Sequence, residues 1–429
     1  MSITTHSNET IRNVILHCQE LSNSGNHTPT LENITSVVSK IRALQIDTLQ
    51  MVKRSHFLAL WSRIGTYDDN LLNELAYGNN RKFFEYWYHA ACIIPVEEFA
   101  YRIPAMKKHF RKETKRWRNW PNEKNNAKVI NETLNKIKLE GPMKASDFND
   151  TKYTPGSWWN WKPSKRALEY LNDSGMTVVV DRINFQRVYG LTELNIPEKF
   201  RDTNYTDQDC LNHDLEMSLK ATGICRPSQV GNYTHTKQGI SNPIVEEMIR
   251  SGRAVEITGL DKSKKEIGLL IHKDNLHLLE LAQDGVLNAD RTTFLSPFDN
   301  IFWAKGRDKE IFSFTQVLEC YKPKNQRKWG YFCLPILYKG TLIGRFDPKL
   351  DRKTGTMIIR SMHLEPDVIP DEQMLFEVAK SMREFLSFHD ANSITFENAG
   401  NGEFRNLSKR HFEVSKEDKL VLTSKLAIT

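Results

Sequence analysis

A pattern of one helix followed by two strands occurs twice in the middle of the chain and restricts the fold more than any other feature. The copies are KPSKRALEYLNDSGMTVVVDRINFQRVYG (residues 162–190) and NPIVEEMIRSGRAVEITGLDKSKKEIGLLIH (residues 242–272). Each has Pro near its start, an amphipathic run, a Ser-Gly pair, and two β-rich runs around a polar turn. Pro at the first helical position and Gly just past the last are typical helix boundaries. We predict helices over 163–172 and 243–250, each followed by a hairpin.

A further helical pattern and a short connector precede each copy, at residues 126–148 and 210–234. Helix, short helix, helix and two-stranded wing is the order of a winged helix-turn-helix, and its recurrence strengthens the prediction. Such domains usually place one helix in a DNA groove and the wing along the backbone. Winged helices also mediate protein contacts, and this alternative stays open here.

The flanking regions indicate an α+β protein. The N-terminal region alternates helical patterns with one short strand and fits a third, diverged winged helix. From about Phe294 the pattern changes to three strands and one amphipathic helix, followed by a tail. The predicted domains are residues 1–125, 126–200, 201–285 and 286–429, the last being β-rich.

The composition is typical of a soluble globular protein. The 429 residues are 39% hydrophobic and 26% charged, with a mean hydropathy of −0.54. No apolar run approaches the roughly 20 residues of a membrane span, and the first ten residues do not resemble a secretory signal. The six cysteines include no CxxC pair, so we expect reduced thiols in a cytoplasmic protein and no zinc.

Clustered positive charge indicates a polyanionic partner. The net charge is +7. Residues 107–118 contain seven Lys or Arg, one Glu and two aromatic residues, and residues 322–328 contain four further Lys or Arg. Nucleic acid is the first candidate for such a surface. A solvated helix face would produce the same runs.

The stretch LQIDTLQ, residues 44–50, raises the question of catalysis. If it is a strand, Gln45 and Asp47 point to one face, with Cα atoms about 6–7 Å apart. The polar side of an edge strand has the same pattern, so the motif alone does not establish a site.

The wider sequence around this motif resembles the AlkZ/YcaQ family of DNA glycosylases. The resemblance runs in order from about residue 10 to about residue 390, apart from the basic stretch at Lys107 and the tail after Asn398. The segments that carry it are LQIDTLQMVKRSHFLALWSRIGTY, RKFFEYWYHAACIIP, FLSPFDNIFWAKGR, GYFCLPILYKGTLIGRFDPKLDRKTG and MHLE.

This resemblance implies a fold, an activity and a catalytic motif. The fold is a C-shaped arrangement of tandem winged helices with a C-terminal β-rich domain. The activity is excision of bulky alkylated purines from double-stranded DNA, including unhooking of interstrand crosslinks. The family motif is Gln-x-Gln or Gln-x-Asp, and Gln45-Ile46-Asp47 matches the second form, whose branch has the broader substrate range.

The residue chemistry suits this activity. Asp47 can stabilise an oxocarbenium-like sugar and accept a proton from water, while Gln45 can position that water. Neither a metal nor a cofactor is required, and no Lys need act as a nucleophile, so we predict a monofunctional enzyme. We also expect a monomer that associates with the nucleoid. The predicted DNA contacts are Lys53, Arg54, His56, Arg63, Arg182, Lys322 and Lys324. Glu85 and His89 are predicted to line the site or support it from beneath.

Two other functions use parts of the same pattern. A winged-helix DNA-binding regulator would need the cations but neither Gln45 nor Asp47. A metal-dependent nuclease would need an acidic cluster, and no obvious spacing of Asp and Glu indicates one.

Overall fold

The computed structural model of the protein describes residues 5–22, 29–148 and 162–397, together with 402, 404–406 and 410. The predicted tail, residues 399–429, therefore lies almost entirely outside the described residues. The fold is α+β, as predicted. Within the described part of the chain, no helix is long and apolar enough to cross a membrane.

The helix boundaries follow local signals in the sequence. Gly65 and Gly141 end two helices with φ of +79° and +90°, a conformation that other residues adopt only with strain. Asp371 begins the last helix by accepting a hydrogen bond from the Met374 N–H at 2.7 Å. The described α-helices are α1 (Asn8–Cys18), α2 (Leu31–Ile41), α3 (Ser55–Ile64), α4 (Asp69–Tyr77), α5 (Phe99–Phe110), α6 (Lys124–Glu140), α7 (Pro163–Asp173), α8 (Thr192–Asn195), α9 (Glu198–Arg201), α10 (Asp207–Thr222), α11 (Gln238–Arg250), α12 (His277–Gln283), α13 (Arg307–Phe312) and α14 (Glu372–Phe388).

The strands are short except near the C-terminus. The described strands are β1 (Thr5–His6), β2 (Leu44–Gln45), β3 (Phe83–Trp87), β4 (Ala91–Pro95), β5 (Met143–Lys144), β6 (Thr177–Ile183), β7 (Gln186–Leu191), β8 (Ile224–Cys225), β9 (Ala254–Leu260), β10 (Glu266–His272), β11 (Thr292–Phe294), β12 (Leu334–Tyr338), β13 (Thr341–Asp351), β14 (Thr356–Leu364) and β15 (Ser393–Phe396). Strands β12, β13 and β14 are the three predicted C-terminal strands. They form the centre of a sheet in the order β11-β12-β13-β14-β15, whose two outer strands the sequence did not indicate.

The predicted repeat is present in the order of the elements. Helix α6, β5, a short 3-10 helix (Ala145–Asp147), α7, β6 and β7 follow one another in the first copy. Helix α10, β8, a 3-10 helix (Pro227–Thr234), α11, β9 and β10 follow in the second. The sheet orders correspond, β5-β7-β6 and β8-β10-β9, with β1 added parallel to β9 in the second. The identification of these units as winged helices in a C-shaped arrangement stays a prediction.

One predicted helix start is wrong. Helix α7 begins at Pro163, as predicted, whereas α11 begins at Gln238, before Pro243. The Lys237 carbonyl accepts hydrogen bonds from Ile240 N and Ser241 N at 2.9 and 3.0 Å, so the helix is already established where the proline occurs. Pro243 then removes one helical hydrogen bond without ending the helix.

Contacts divide the chain into two compact units. The first contains the described residues of Met1–Asp69, Tyr88–Cys92 and Leu215–Thr429, and the second those of Asn70–Trp87 and Ile93–Asp214. This division follows packing and not chain order. The four consecutive domains inferred from the sequence stay a prediction.

An aromatic cluster holds the first unit together. Trp61 of α3 has its ring 5.2 Å from Phe385 and 6.0 Å from Phe388 of α14, and 6.1 Å from Phe294 of β11. All four side chains are buried. Burial of such large rings is a major contribution to stability, so α3 packs firmly against the C-terminal sheet and helix.

The second unit has its core between α6 and α7. Trp117 is buried there, and its indole N–H donates to Asp173 at 2.8 Å. Trp117 belongs to the basic stretch 107–118, and its neighbour Arg116 pairs with Glu169 at 2.6 Å and with Asp173 at 3.2 Å. Part of this basic stretch is therefore neutralised locally, although residues 111–118 follow the end of α5 and do not form a helix face.

Arg63 of α3 forms a buried ion pair with Asp299. The Arg63 Nη1 and Nη2 atoms donate to the two Asp299 oxygens at 2.8 and 2.9 Å, and neither side chain is exposed. Arg63 Nε donates to the Gln19 carbonyl at 2.8 Å, and Nη1 also donates to the Ala59 carbonyl at 2.7 Å. The prediction that Arg63 contacts a phosphate is wrong, because its guanidinium is enclosed and its donors are used inside the unit.

Asn300, which follows Asp299 in the chain, extends this buried network to the start of β2. Its side-chain amide donates to the carbonyls of Ile41 and Ala43 at 3.1 and 2.8 Å. The Tyr233 hydroxyl donates to the Ile41 carbonyl at 2.6 Å. Between these carbonyls Arg42 has φ of +69°, which turns the chain out of α2. The network therefore fixes the backbone immediately before Gln45.

We predict that breaking the buried ion pair destabilises the fold. Removing one partner leaves an uncompensated buried charge, which costs about 3–5 kcal/mol. Arg63→Met should lower the free energy of unfolding by that amount in a denaturant titration. The double variant Arg63→Met/Asp299→Leu should recover much of the loss. Lys324→Met, at an exposed position, is the control, and an Arg63→Met variant as stable as the parent would contradict the account.

Candidate active site

Gln45 and Asp47 lie at the end of a very short strand. Strand β2 ends at Gln45, much earlier than the pattern predicted, although Ile46 N still donates to the Ala91 carbonyl at 2.8 Å. Burial alternates along this segment: Leu44 and Ile46 are buried, and Gln45 and Asp47 are half-buried. The two polar residues therefore lie on the more accessible side of the chain.

Asp47 forms a local turn that explains why the strand stops. Its Oδ1 accepts a hydrogen bond from Leu49 N at 2.7 Å, a side-chain contact that competes with strand pairing. Partial burial raises the pKa of Asp47 above its ordinary 3.8, and the Leu49 N–H and the Arg54 charge only partly oppose the effect. A carboxylate with a raised pKa is a stronger base than an ordinary aspartate.

The first residues of a basic loop lie within electrostatic range of Asp47. We call residues 319–330 the Glu319 loop. The pKa values of Cys320 and Tyr321 are raised first by burial and then by the Asp47 carboxylate, so these groups lie within electrostatic range of it. Lys322 pairs with Glu319 at 3.1 Å, and Lys324 is exposed. Lys322 and Lys324 therefore belong to the loop that carries these two groups, and their phosphate contacts stay predictions.

The three predicted DNA contacts after the motif have different environments. Arg54 is half-buried, and its charge acts on Asp47. Lys53 pairs with Asp69 and lies 4.4 Å from the ring centre of Phe388. His56 is buried, with 5% of its surface exposed, which contradicts a phosphate contact. Arg54 therefore remains the best placed of the three.

Glu85 and Arg182 bind each other in the second unit. Arg182 Nη2 donates to Glu85 Oε2 at 2.7 Å, the Tyr77 hydroxyl donates to Oε1 at 2.7 Å, and Arg187 lies 3.3 Å away. Burial disfavours ionisation of Glu85, but these partners outweigh burial and lower its pKa. Glu85 is a buried counterion and Arg182 is its partner, while a phosphate contact by Arg182 stays a prediction.

His89 is packed in a stack of rings. Its imidazole lies between Trp303, at 4.2 Å and 5°, and His235, at 4.0 Å and 28°. Burial and the nearby His235 lower the pKa of His89 to about 4, so the ring is neutral at physiological pH. His89 shortly precedes Ala91, which pairs with Ile46, and its supporting role stays a prediction.

The described residues form neither a cluster suited to binding a metal ion nor a group of reactive thiols. Among the residues that the structure describes, no group of three or more His, Cys, Asp or Glu side chains could hold a metal ion. All six cysteines are free, and burial raises the pKa values of Cys92 and Cys225 to about 12, which keeps these thiols protonated.

The sequence did not indicate two residues that shape the site. Asn300 positions the chain before β2, and Tyr321 is an exposed ring within electrostatic range of Asp47. Asn300 is in the quoted segment FLSPFDNIFWAKGR, where nothing local reveals that it contacts Ala43. Tyr321 immediately precedes the basic run, and its exposure could not be read from that run.

Comparison with known proteins now assigns the family. The AlkZ-like family, described as DNA glycosylase AlkZ-like, matches residues 38–386. The chain belongs to this family of DNA glycosylases. Among solved structures, the Streptomyces sahachiroi DNA glycosylase AlkZ is similar with a TM-score of 0.60 over 92% of this chain and 100% of that chain. The two share 10% sequence identity, so this likeness concerns the fold alone.

We predict that the Asp47 carboxyl titrates above the ordinary aspartate range and that Asp47→Asn does not destabilise the protein. A raised folded-state pKa means that the protonated form stabilises the fold, and this contribution is lost as pH rises through that pKa. At pH 7 a neutral Asn should therefore be tolerated. Carbon-13 NMR of labelled aspartates, with Asp47→Asn to assign the signal, measures the titration.

Arg54→Gln provides the matched test of the electrostatics. Its cation lowers the pKa of Asp47, so its removal should raise that pKa further. A signal for Asp47 at or below the ordinary value of 3.8, or one that Arg54→Gln leaves unchanged, would contradict the account.

Proposed function

We propose that this protein excises alkylated purines from duplex DNA by hydrolysis, with Asp47 and Gln45 at the reacting sugar. Membership of a DNA glycosylase family supports cleavage of a base–sugar bond. The observation that carries the assignment of residues is the half-buried Asp47, whose pKa is raised by burial and which lies within electrostatic range of Cys320, in a loop rich in lysine and arginine. The agreement with the Gln-x-Asp motif supports the same choice.

The proposed reaction needs one water and one carboxylate. The bond between the sugar and the purine breaks, the bonding electrons leave with the base, and the sugar becomes oxocarbenium-like. Asp47 stabilises that positive charge and accepts the proton of the attacking water. Gln45 orients the water through its amide, which has both donors and an acceptor. The products are a free base and an intact strand with an abasic site.

An alkylated purine suits this site chemically. Alkylation at the major-groove ring nitrogen makes the base a cation, and it becomes neutral as it leaves. Protonation of the leaving group is then unnecessary, so one carboxylate and one water are sufficient. A crosslinked base is tied to the opposite strand and cannot rotate into a deep pocket as in ordinary base flipping. Gln45 and Asp47 are partly accessible, which supports the proposal that crosslinks are also substrates.

The two other functions considered from the sequence are less well supported. The hypothesis of a non-catalytic DNA-binding regulator does not explain why the chain belongs to a family of DNA glycosylases. A metal-dependent nuclease needs a metal-binding cluster, and the described residues contain none. The site of action in the cell and the monomeric state stay predictions.

We predict excision of 7-methylguanine from a duplex by a monofunctional mechanism. Incubation should release free 7-methylguanine, measured by chromatography, and leave a strand that breaks only after hot alkali. Borohydride should trap no covalent enzyme–DNA adduct, because no amine attacks the sugar. EDTA should not change the rate.

Two further substrates complete the experiment. An undamaged duplex is the control and should remain intact. A duplex with a guanine–guanine interstrand crosslink should separate into single strands on a denaturing gel. Strand breaks before alkali, or loss of activity with EDTA, would contradict the proposed mechanism, and intact 7-methylguanine DNA would contradict the proposed activity.

A further inference from the structure

Tyr321 is an exposed aromatic ring on a firmly anchored loop. It retains 70% of its accessible surface, and its ring makes an edge-to-face contact with that of Phe298 at 6.5 Å. Single exposed aromatic residues are common on proteins and by themselves carry no meaning. The surroundings of this ring distinguish it.

A buried carboxylate holds the Glu319 loop in shape. The Glu319 side chain is 2% exposed and accepts hydrogen bonds from the backbone N–H groups of Lys328, Trp329 and Gly330 at 3.0, 2.6 and 3.3 Å. Arg327 Nε donates to the carbonyl of Glu319 at 3.2 Å. These contacts join the two ends of the loop. Tyr321 is therefore presented on a fixed backbone, which reduces the entropy lost when a ligand packs on its ring.

Contacts also connect Tyr321 to the helix that follows the catalytic motif. Phe298, its ring neighbour, donates its backbone N–H to Ser296 Oγ at 3.2 Å. Ser296 Oγ in turn is hydrogen-bonded to Ser55 Oγ, at the first residue of α3, at 2.8 Å. Arg54, which acts on Asp47, immediately precedes Ser55. The ring is thus anchored to the segment that carries the site.

The loop that carries the ring also carries positive charge. Lys322 follows it directly, and Lys324 and Lys328 of the same loop are exposed. An exposed aromatic ring with neighbouring cations is the combination that binds nucleic acid, through base stacking and phosphate contacts respectively. A hydrophobic protein partner would require a wider apolar surface than one ring among lysines offers.

We propose that Tyr321 is a stacking site for the alkylated purine, and that its electron-rich ring favours bases carrying a positive charge. This inference deepens the proposed function and rests on it. Partial desolvation of its hydroxyl and the Asp47 carboxylate raise the pKa of Tyr321, so the phenol stays protonated. Cations are attracted to the face of a tyrosine ring. Tyr321 would therefore select cationic purines, while Asp47 stabilises the sugar cation and accepts the proton of the attacking water.

The test compares affinities for two duplexes that cannot be cleaved. One contains 7-methylguanine on a 2′-fluoro sugar, which resists excision, and the other contains guanine on the same sugar. The ratio of their dissociation constants measures lesion preference without any reaction. Tyr321→Ala should reduce this preference about tenfold, the order expected for loss of one base–aromatic stack.

Matched variants separate the possible roles of the ring. Tyr321→Phe should keep the preference, because stacking needs the ring and not the hydroxyl. Phe376→Ala, which removes another exposed aromatic ring of the first unit, should also keep it. Lys324→Ala should weaken both duplexes equally. Circular dichroism and thermal melting should show that all variants are folded.

The possible outcomes decide between the two proposals. If Tyr321→Ala retains the parent preference, if Tyr321→Phe loses as much as Tyr321→Ala, or if the parent itself has no preference, the stacking site is wrong. If the parent prefers the lesion through Tyr321 but excises no base from an ordinary 7-methylguanine duplex, the stacking site stands and the proposed enzymatic function fails.

Discussion

The buried pair of Arg63 and Asp299 is the interaction on which the first unit depends. It joins two segments far apart in the chain, and both charges have no exposed surface. Isolated charges in such an environment would be very costly, so the pair is stable only because its hydrogen bonds are well satisfied. Because the Arg63 and Asp299 side chains need all of their hydrogen-bond partners, the segments that supply those partners are held in one specific arrangement.

That specificity reaches the proposed catalytic residues through the backbone. Asn300, next to Asp299 in the sequence, donates hydrogen bonds to the carbonyls of Ile41 and Ala43. Gln45 lies two residues after Ala43. Asp47 then ends the strand by bonding Leu49 N. The strand that carries Gln45 is too short to fix its own position, so the buried polar network supplies the rigidity that catalysis requires.

Much of the fold was predictable from local signals. Helix α7 begins at Pro163 because proline suits the first helical position, and the three central C-terminal strands follow the turns in the sequence. The start of α11 was not predictable in the same way, because the helix begins at Gln238, before the proline that suggested the boundary. Strand β1 could not be predicted from the local sequence, because it pairs with β9, which is far away in the chain.

The candidate site could be predicted where a local motif marks it. It could not be predicted where a residue distant in the chain determines the environment of a side chain. The motif at Gln45 and Asp47 indicates a candidate site. The sequence also predicts DNA contacts for Arg63 and Arg182, because it shows the charge of a residue without showing its counterion. Their carboxylate partners, Asp299 and Glu85, are far from them in the chain. A cation near a catalytic motif is thus ambiguous until its environment is known.

The central claim is that the Asp47 carboxylate performs the chemistry, and single-turnover excision of 7-methylguanine by Asp47→Asn tests it most directly. The substitution keeps the size of the side chain and removes both the charge and the base. We expect a rate about 10²–10³-fold below the parent, with unchanged duplex affinity and thermal stability. Gln45→Ala should also slow excision, since it misplaces the water but leaves the carboxylate. A folded Asp47→Asn variant that binds DNA normally and excises at the parent rate would contradict the account.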